Sequence, residues 1–331
     1  MALRELDIID RFFRPLAGDG ALGLLDDAAR LEPAPGTDLV LTADMIACGV
    51  HFLPADPPFT VGQKALRVNI SDLAAKGADP VGYLLSLAVS EDLEEDWLAG
   101  FCRGLAADQS EFGLDLLGGD TIAVRAGPVV SITAIGAVPA GRMVHRFGGT
   151  PGDALYVTGS IGSARAGLAL LRGDDGPWRD IPAEGRDVLV GRYRVPEPRL
   201  ALAPALRAHA SAAMDVSDGL VGDCDKMAAS AGCSARLDGD AVPLDSALHA
   251  VARDAALFGS LVSGGDDYEI LAAVPPGSEA AFVADAGAAG VPVRRIGMLV
   301  EGSGPVQMTR GGRLLQLAER AYVHGAAGKP T

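Results

Sequence analysis

Aspartates recur in this chain at points where the apolar pattern breaks. They are Asp26-Asp27, Asp44 after the run Leu39–Ala43, Asp72, Asp120 within Gly118-Gly119-Asp120-Thr121, and the pair Asp215 and Asp218 in Asp215-Val216-Ser217-Asp218-Gly219. Strand ends are where α/β proteins build sites, because a rigid sheet there presents loops that carry function. Asp44 directly ends an apolar run, and Asp120 follows Leu116-Leu117 across two glycines that permit close backbone approach to a ligand. Asp215 and Asp218 stand three apart at a strand-to-helix junction, so both can face one point. The plainer alternative is that Ser217 or Asp218 caps the helix beginning at Gly219. Asp72 falls inside a helical stretch ended by Gly77, where Lys76 at i+4 is its ordinary partner. If several of these acids share a cleft, their repulsion either raises pKa values or demands divalent cations, and Mg²⁺ with oxygen ligands is the ordinary solution. Mg²⁺ takes one or two protein carboxylates and leaves room for water and phosphate, so a group of aspartates points to more than one ion on a polyphosphate. Phosphoryl transfer is the reaction class that follows.

Other segments carry less. His51, in Gly49-Val50-His51-Phe52, reads first as a structural hydrogen-bonder, and Asp266 to Glu269 reads equally well as an exposed acidic turn before a strand. Gly18-Asp19-Gly20-Ala21-Leu22-Gly23 fits GxGxxG, but it follows a helical pattern and does not open a helix after a strand, so a dinucleotide site is disfavoured. Gly328-Lys329 is followed by Pro330, not Ser or Thr, and no Walker loop exists. Cys48, Cys102, Cys224 and Cys233 form no CxxC pair, and the five histidines show no HxxxH spacing, so burial is the expectation for the thiols.

These residues must be held by elements. The chain has 331 residues, 49% of them apolar and 5% aromatic, with a net charge of −15, which suits a globular protein of two domains. Such a charge repels nucleic acid, and an anionic substrate would need bound cations. No run approaches the ~18 apolar residues of a membrane span, and the acids at positions 5, 7 and 10 do not suit a signal peptide, so the expectation is cytoplasmic, without membrane or nucleic-acid partners. Apolar spacing predicts an amphipathic helix over Leu3–Phe13, strands at Leu39–Ala43, Leu84–Val89 and Val129–Val138, and helices at Val61–Lys76 and Leu93–Phe112. The pattern lapses over Pro139–Asp153, which predicts a first domain over 1–140 and a second over 151–325. In the second half, strands are expected at Ala154–Thr158, Ala212–Val216, Ile270–Val274 and Val293–Val300. Helices are expected at Ile161–Arg172, Glu184–Tyr193, Arg199–Ala210, Gly219–Ser230 and Ser278–Ala289, with a frayed tail after Lys329. The class is α/β, of mixed order.

Taken in order, the motifs resemble one family. They are Leu25-Asp26-Asp27-Ala28-Ala29, Thr42-Ala43-Asp44-Met45 with Gly49-Val50-His51-Phe52, Lys64 to Ala78 including Asn69 and Asp72, Gly118-Gly119-Asp120-Thr121, Pro151-Gly152-Asp153, Met214 to Leu220, and Gly264-Gly265-Asp266-Asp267-Tyr268-Glu269. The chain resembles the thiamine-monophosphate kinases of the PurM-like (AIR synthetase-related) ATP-binding superfamily, from about residue 20 to 325. The resemblance implies an N-terminal mixed-sheet α/β domain that carries ATP and Mg²⁺ and pairs with its twin in a homodimer, and a C-terminal α+β domain. It implies direct in-line transfer of the ATP γ-phosphoryl group to thiamine monophosphate. Asp27, Thr42, Asp44, Asp72, Asp120, Asp215 and Asp218 would then hold several Mg²⁺ ions, with Asp44, Asp72, Asp120 and Asp218 central to catalysis. Gly119, Asp120, Arg146 and Ser217 would meet ATP, and His51, Asp266 and Tyr322 would surround thiamine monophosphate.

Three positions depart from the family pattern. Ala43 replaces a hydroxyl residue, Leu25 replaces a glycine, and Asp266 is one methylene shorter than the usual Glu. The alternatives are another ATP-using enzyme of the superfamily or a non-catalytic nucleotide- and metal-binding paralogue. The selenophosphate type would want Cys and Lys near the start, and residues 1–35 hold neither. The hydrogenase-maturation type would want a C-terminal Cys, and this chain ends Gly328-Lys329-Pro330-Thr331.

Overall fold

β1 (Thr37–Ala47), β2 (Asp79–Ser90), β3 (Asp115–Val124) and β4 (Val129–Pro139) form a four-stranded sheet in the order β1-β4-β2-β3. β4 runs antiparallel to β1 and β2, whereas β2 and β3 are parallel and need the crossover that helix α3 (Glu95–Phe112) supplies. The computed structural model describes residues 5–90, 94–125, 127–174 and 176–322. Burial alternates along the strands. Val40, Ile46, Tyr83, Leu85, Leu87, Ile132 and Ala134 are buried on the face where helix α2 (Pro58–Ala75) packs, while Leu39, Leu41, Met45 and Leu84 on the other face are exposed. α2 and α3 approach closely through two glycines: a Cβ at Gly62 would lie 2.2 Å from the Phe101 carbonyl oxygen, and one at Gly104 would lie 2.1 Å from that of Phe59.

Three expectations are corrected here. The helix expected over Leu3–Phe13, whose first two residues lie outside the described ones, is interrupted: among the described residues only Glu5–Ile8 (α1) is α-helical, Ile9–Phe13 widens into a π turn and Arg14–Leu16 tightens into a 3₁₀ turn. Pro15 lacks the N–H that would continue it. Asp44 does not end its strand, because β1 runs on to Ala47. β3 runs through Gly118-Gly119-Asp120-Thr121, where no strand was expected. Gly119 has φ +156°, and a Cβ there would sit 1.7 Å from the Leu85 carbonyl oxygen, so the glycine lets β3 press against β2 beside the register shift at Tyr83/Leu84.

Among the described residues, those up to 73 together with 78–141 form one unit, and 74–77 together with those from 142 on form the other. The second unit holds a seven-stranded sheet ordered β11-β10-β7-β9-β5-β8-β6. Its strands are β5 (Ala154–Thr158), β6 (Ala212–Val216), β7 (Ser234–Asp238), β8 (Glu269–Val274), β9 (Val293–Val300), β10 (Gln307–Arg310) and β11 (Arg313–Leu314). Its helices are α4 (Ser163–Arg172), α5 (Ala183–Arg194), α6 (Ala203–His209), α7 (Leu220–Ser230), α8 (Ala255–Val262) and α9 (Glu279–Ala288). β5, β6 and β8 are buried throughout because both faces are covered. Leu155, Met214 and Leu271 join residues of α4, α7 and α8 in one core, while Tyr156, Ala213 and Ile270 join residues of α6 and α9 in another. The helix expected over Arg199–Ala210 is split into a 3₁₀ turn, Leu200–Leu202, and α6, with Pro204 in the first turn of α6. Among the described residues no helix is long and apolar enough to cross a membrane. The tail expected to fray after Lys329 lies outside the described residues.

Candidate active site

In the first unit the candidate residues fall into two sets. Asp27 and Asp120 line one cavity of about 680 Å³ together with Asp26, Ser86, Gly119 and Thr121. Two of these carboxylates are fixed locally: Asp26 Oδ1 accepts the Asp27 N–H at 2.7 Å, and Asp120 Oδ1 accepts the Thr121 N–H at 2.9 Å. Asp120 is in register with Ser86, and Ser86 with Ser131, on the face of the sheet away from α2.

Thr42 and Asp44 are in register with the buried Ala134 and Ile132, so they stand on the α2 face, opposite Asp120. Thr42 Oγ1 donates to Asp72 Oδ2 at 2.5 Å. β1 is an edge strand, and its Asp44 N–H is taken by Asn69 Oδ1 at 3.0 Å, an arrangement that uses a fully buried amide to fix the strand's edge. The Lys76 ammonium donates to the Ala213 carbonyl at 2.8 Å. His51 accepts the Ala47 N–H on Nδ1 at 3.1 Å, which places its ring proton on Nε2, and buried Lys64 donates to the His51 carbonyl at 2.8 Å. Asn69 and Lys64 are positioning residues that the aspartate pattern did not single out, because their work is done on backbone groups.

The second unit joins its candidates more tightly. The Asp266 N–H donates to the Ser217 carbonyl and the Tyr268 N–H to the Val216 carbonyl, each at 2.8 Å, and the Tyr322 N–H donates to the Asp218 carbonyl at 2.9 Å. Asp215, at 7% exposure, pairs with Ile270 across β6 and β8. Asp215, Ser217, Asp218, Asp266 and Tyr322 therefore belong to one neighbourhood. Gly265 and Gly219 make the approach possible: a Cβ on Gly265 would lie 2.5 Å from the Ser217 carbonyl oxygen, and Gly219, at φ +118°, would meet Ser263 at 2.6 Å.

Neither Ser217 nor Asp218 caps α7 through its side chain, since the cap position is Gly219 without a side-chain bond. The Asp218 carboxylate instead meets the Lys226 ammonium, which also donates to Asp223 Oδ1 at 2.7 Å. Asp223 Oδ2 accepts the Asp218 N–H at 2.9 Å. Burial pushes the Asp223 carboxyl up, against the pull of Lys226 and of that N–H. Arg146 is placed elsewhere. Its carbonyl accepts from Ser230 at the far end of α7, a helix of about 15 Å by its rise, so its backbone is not brought to Asp218.

The segment Asp266 to Glu269 is not an exposed acidic turn. Asp267 and Glu269 are buried and Asp266 alone among its acids is partly exposed. Glu269 receives Nε and Nη2 of Arg199, both at 2.6 Å, and Thr158 Oγ1 at 2.6 Å. The Arg199 partner lies 70 residues away in the chain, which is why no local pattern announced it.

Among the described residues, no group of three or more His, Cys, Asp or Glu side chains is assembled to hold a metal ion. The donors that are present fit Mg²⁺ in kind. They are carboxylate and hydroxyl oxygens held singly or in pairs, and Mg²⁺ takes one or two protein carboxylates with the remaining positions given to water and phosphate.

Comparison with known proteins agrees with this architecture. The family model of AIR synthase related protein, N-terminal domain, matches residues 25–138, and that of the C-terminal domain matches residues 150–308. The chain is 44% identical over 328 residues to a thiamine-monophosphate kinase of Caulobacter vibrioides, covering 97% of this chain and 91% of that one. Its fold is similar to the crystal structure of thiamine-monophosphate kinase from Stenotrophomonas maltophilia, with TM-score 0.81 and 35% identity over 95% of this chain and 98% of that one. A solved structure of AaThiL complexed with AMPPCP and TMP matches with TM-score 0.75 and 28% identity, over 96% and 97% of the two chains. The chain belongs to the AIR synthase related family and, within it, to the thiamine-monophosphate kinases.

Proposed function

We propose that this chain transfers the γ-phosphoryl group of ATP to thiamine monophosphate, releasing thiamine diphosphate and ADP, with Mg²⁺ held by its aspartates. What supports it most directly is the backbone junction of the second unit, where the strand-to-helix turn carrying Ser217 and Asp218 is hydrogen-bonded to the loop carrying Asp266 and to Tyr322. The acceptor is a phosphate already ionised near neutral pH, so the chemistry needs positioning and charge neutralisation more than a strong base. When bound, Mg²⁺ neutralises phosphate oxygens and lowers the repulsion between two anions.

The chain's own residues supply the rest. In the first unit Asp27 and Asp120 line the cavity beside Gly119. Thr42, Asp44 and Asp72 form the second oxygen set of that unit. In the second unit Asp215 and Asp218 are the metal-holding acids and Ser217 meets ATP. Arg146 supplies a cation for its phosphates. Asp266 sets a carboxylate against the cationic thiazolium of the acceptor, Tyr322 gives an aromatic wall, and His51, with its proton on Nε2, is a donor toward the acceptor. The chain works as a homodimer through the exposed apolar face of the first unit's sheet.

A coupled assay for ADP tests this. ADP release is expected only with thiamine monophosphate present and is abolished by chelation of divalent ions; ATP binding without acceptor-dependent turnover would leave a non-catalytic paralogue. Asp120→Asn and Asp218→Asn are each expected to lower kcat about a hundredfold and to raise the Mg²⁺ concentration needed for half activity. Unchanged turnover and Mg²⁺ dependence in both would refute the metal roles.

A further inference from the structure

Four residues other than glycine have positive φ among the described residues, and two of them flank one buried acid: Asp266 at +74° and Tyr268 at +50°, on either side of Asp267. A left-handed backbone is strained at a residue with a side chain and persists only where its surroundings impose it. On one side the imposing contacts are the bonds from the Asp266 and Tyr268 N–H groups to Ser217 and Val216. On the other side stands Asp267. Its carboxylate turns away from the surface and accepts the Gly162 N–H on Oδ2 at 2.7 Å and the Ala164 N–H on Oδ1 at 3.2 Å, at the start of α4. Gly162 is itself fixed, at φ +81° and with no room for a Cβ against Leu261 of α8.

We infer that Asp267 is a positioning residue for acceptor recognition: it ties the Gly264–Tyr268 loop to the start of α4 and so holds Asp266 in the left-handed conformation that presents its carboxylate to the acceptor. The inference rests on the proposed placement of Asp266 beside thiamine monophosphate. A packing role alone does not account for the choice of residue. Burial drives the Asp267 carboxyl well above the ordinary carboxylate range, against the two N–H bonds, with Glu269 and Asp266 pushing the same way. A buried acid beside which no cation stands among the described residues costs stability that an uncharged side chain would not. Asp267, Tyr268 and Glu269 are all buried, so the anchorage of this stretch leaves the Asp266 carboxylate as the group offered to a ligand.

The test uses the full chain with Asp266→Asn, Asp267→Asn and both together, measuring initial rates against each substrate. Asn at 267 keeps one acceptor oxygen and loses the other. Asp267→Asn is expected to raise KM for thiamine monophosphate about tenfold while KM for ATP and kcat stay within about twofold, and the double variant is expected to be no worse than Asp266→Asn alone. An unchanged acceptor KM, a parallel rise in both KM values, or additive losses in the double variant would each overturn the inference. If Asp266→Asn itself leaves the acceptor KM unchanged, the placement of Asp266 fails instead. Should Asp267→Asn not fold, Asp267→Ser, which also keeps one acceptor, is read by the same criteria.

Discussion

At the scale of single residues, the acids proposed to hold metal are engaged within the protein itself, and Lys226 is the clearest case. Its ammonium lies against Asp218 and Asp223, with about two-fifths of the Lys226 side chain exposed. A divalent ion arriving at Asp218 must displace that ammonium, so Lys226 and the ion compete for one carboxylate. A partly exposed pair of this kind is worth at most about 1 kcal/mol, which corresponds to about fivefold in a binding constant. Lys226→Gln, which can still donate to buried Asp223, is therefore expected to tighten Mn²⁺ or Mg²⁺ binding about threefold to fivefold by titration calorimetry. Equal affinity in variant and parent would remove Asp218 from the metal-holding set.

At the scale of elements, α2 carries Asn69 and Asp72 to β1, and its placement depends on contact with α3. Arg67 of α2 sends Nε and Nη2 to Asp108 of α3 at 2.7 and 2.8 Å, and Gln63 adds a bond to the same acid at 2.9 Å. Gly104→Ala exchanges a poor helix former for the best one, worth about 1 kcal/mol, but sets a Cβ 2.1 Å from the Phe59 carbonyl oxygen. Backbone cannot yield as a side-chain tip does, so a net loss of about 2 kcal/mol and a fall in Tm of about 5 °C are expected by thermal unfolding. A rise in Tm would mean that the helices are free to separate. The strands at Ala154–Thr158 and Ala212–Val216 were legible to the residue, because buried apolar runs between turn residues leave little ambiguity, and Val293–Val300 was legible too, although Arg294 and Arg295 within it are exposed. β3 was not, since Gly118-Gly119-Asp120-Thr121 has the composition of a turn and only its pairing with β2 makes it a strand. Nor were β7 and α8, short segments whose patterning is weak without their neighbours. For the site, motif order named the aspartates. It could not show that Asp267 turns inward while Asp266 stays out, because that choice is made by two backbone angles and by N–H groups about a hundred residues away.

At the scale of the whole molecule, association with a second copy has to overcome charge. Two chains of net charge −15 repel, so a stable contact must be apolar and locally free of acids. On the sheet face away from α2, the β1 edge offers such a strip, at the opposite edge of the sheet from Asp120 on β3. Leu41 is 63% exposed and Met45 59%, with Leu39 beside them on edge strand β1, while α2 covers the opposite face. Apolar side chains of this size in a row on a sheet face mark an interaction surface, and a two-fold pairing buries the same strip from both copies. A stable dimer needs roughly 800 Å² from each partner, more than three side chains supply, so the contact must extend beyond these three residues. Sedimentation is expected to give twice the chain mass of 33.8 kDa. Leu41→Glu with Met45→Glu, both outward-facing and so tolerated by the fold, is expected to convert the protein to monomer with little change in Tm of the monomeric unit. A parent chain that sediments as a monomer would overturn the dimer, and a variant that remains dimeric would move the interface away from this face.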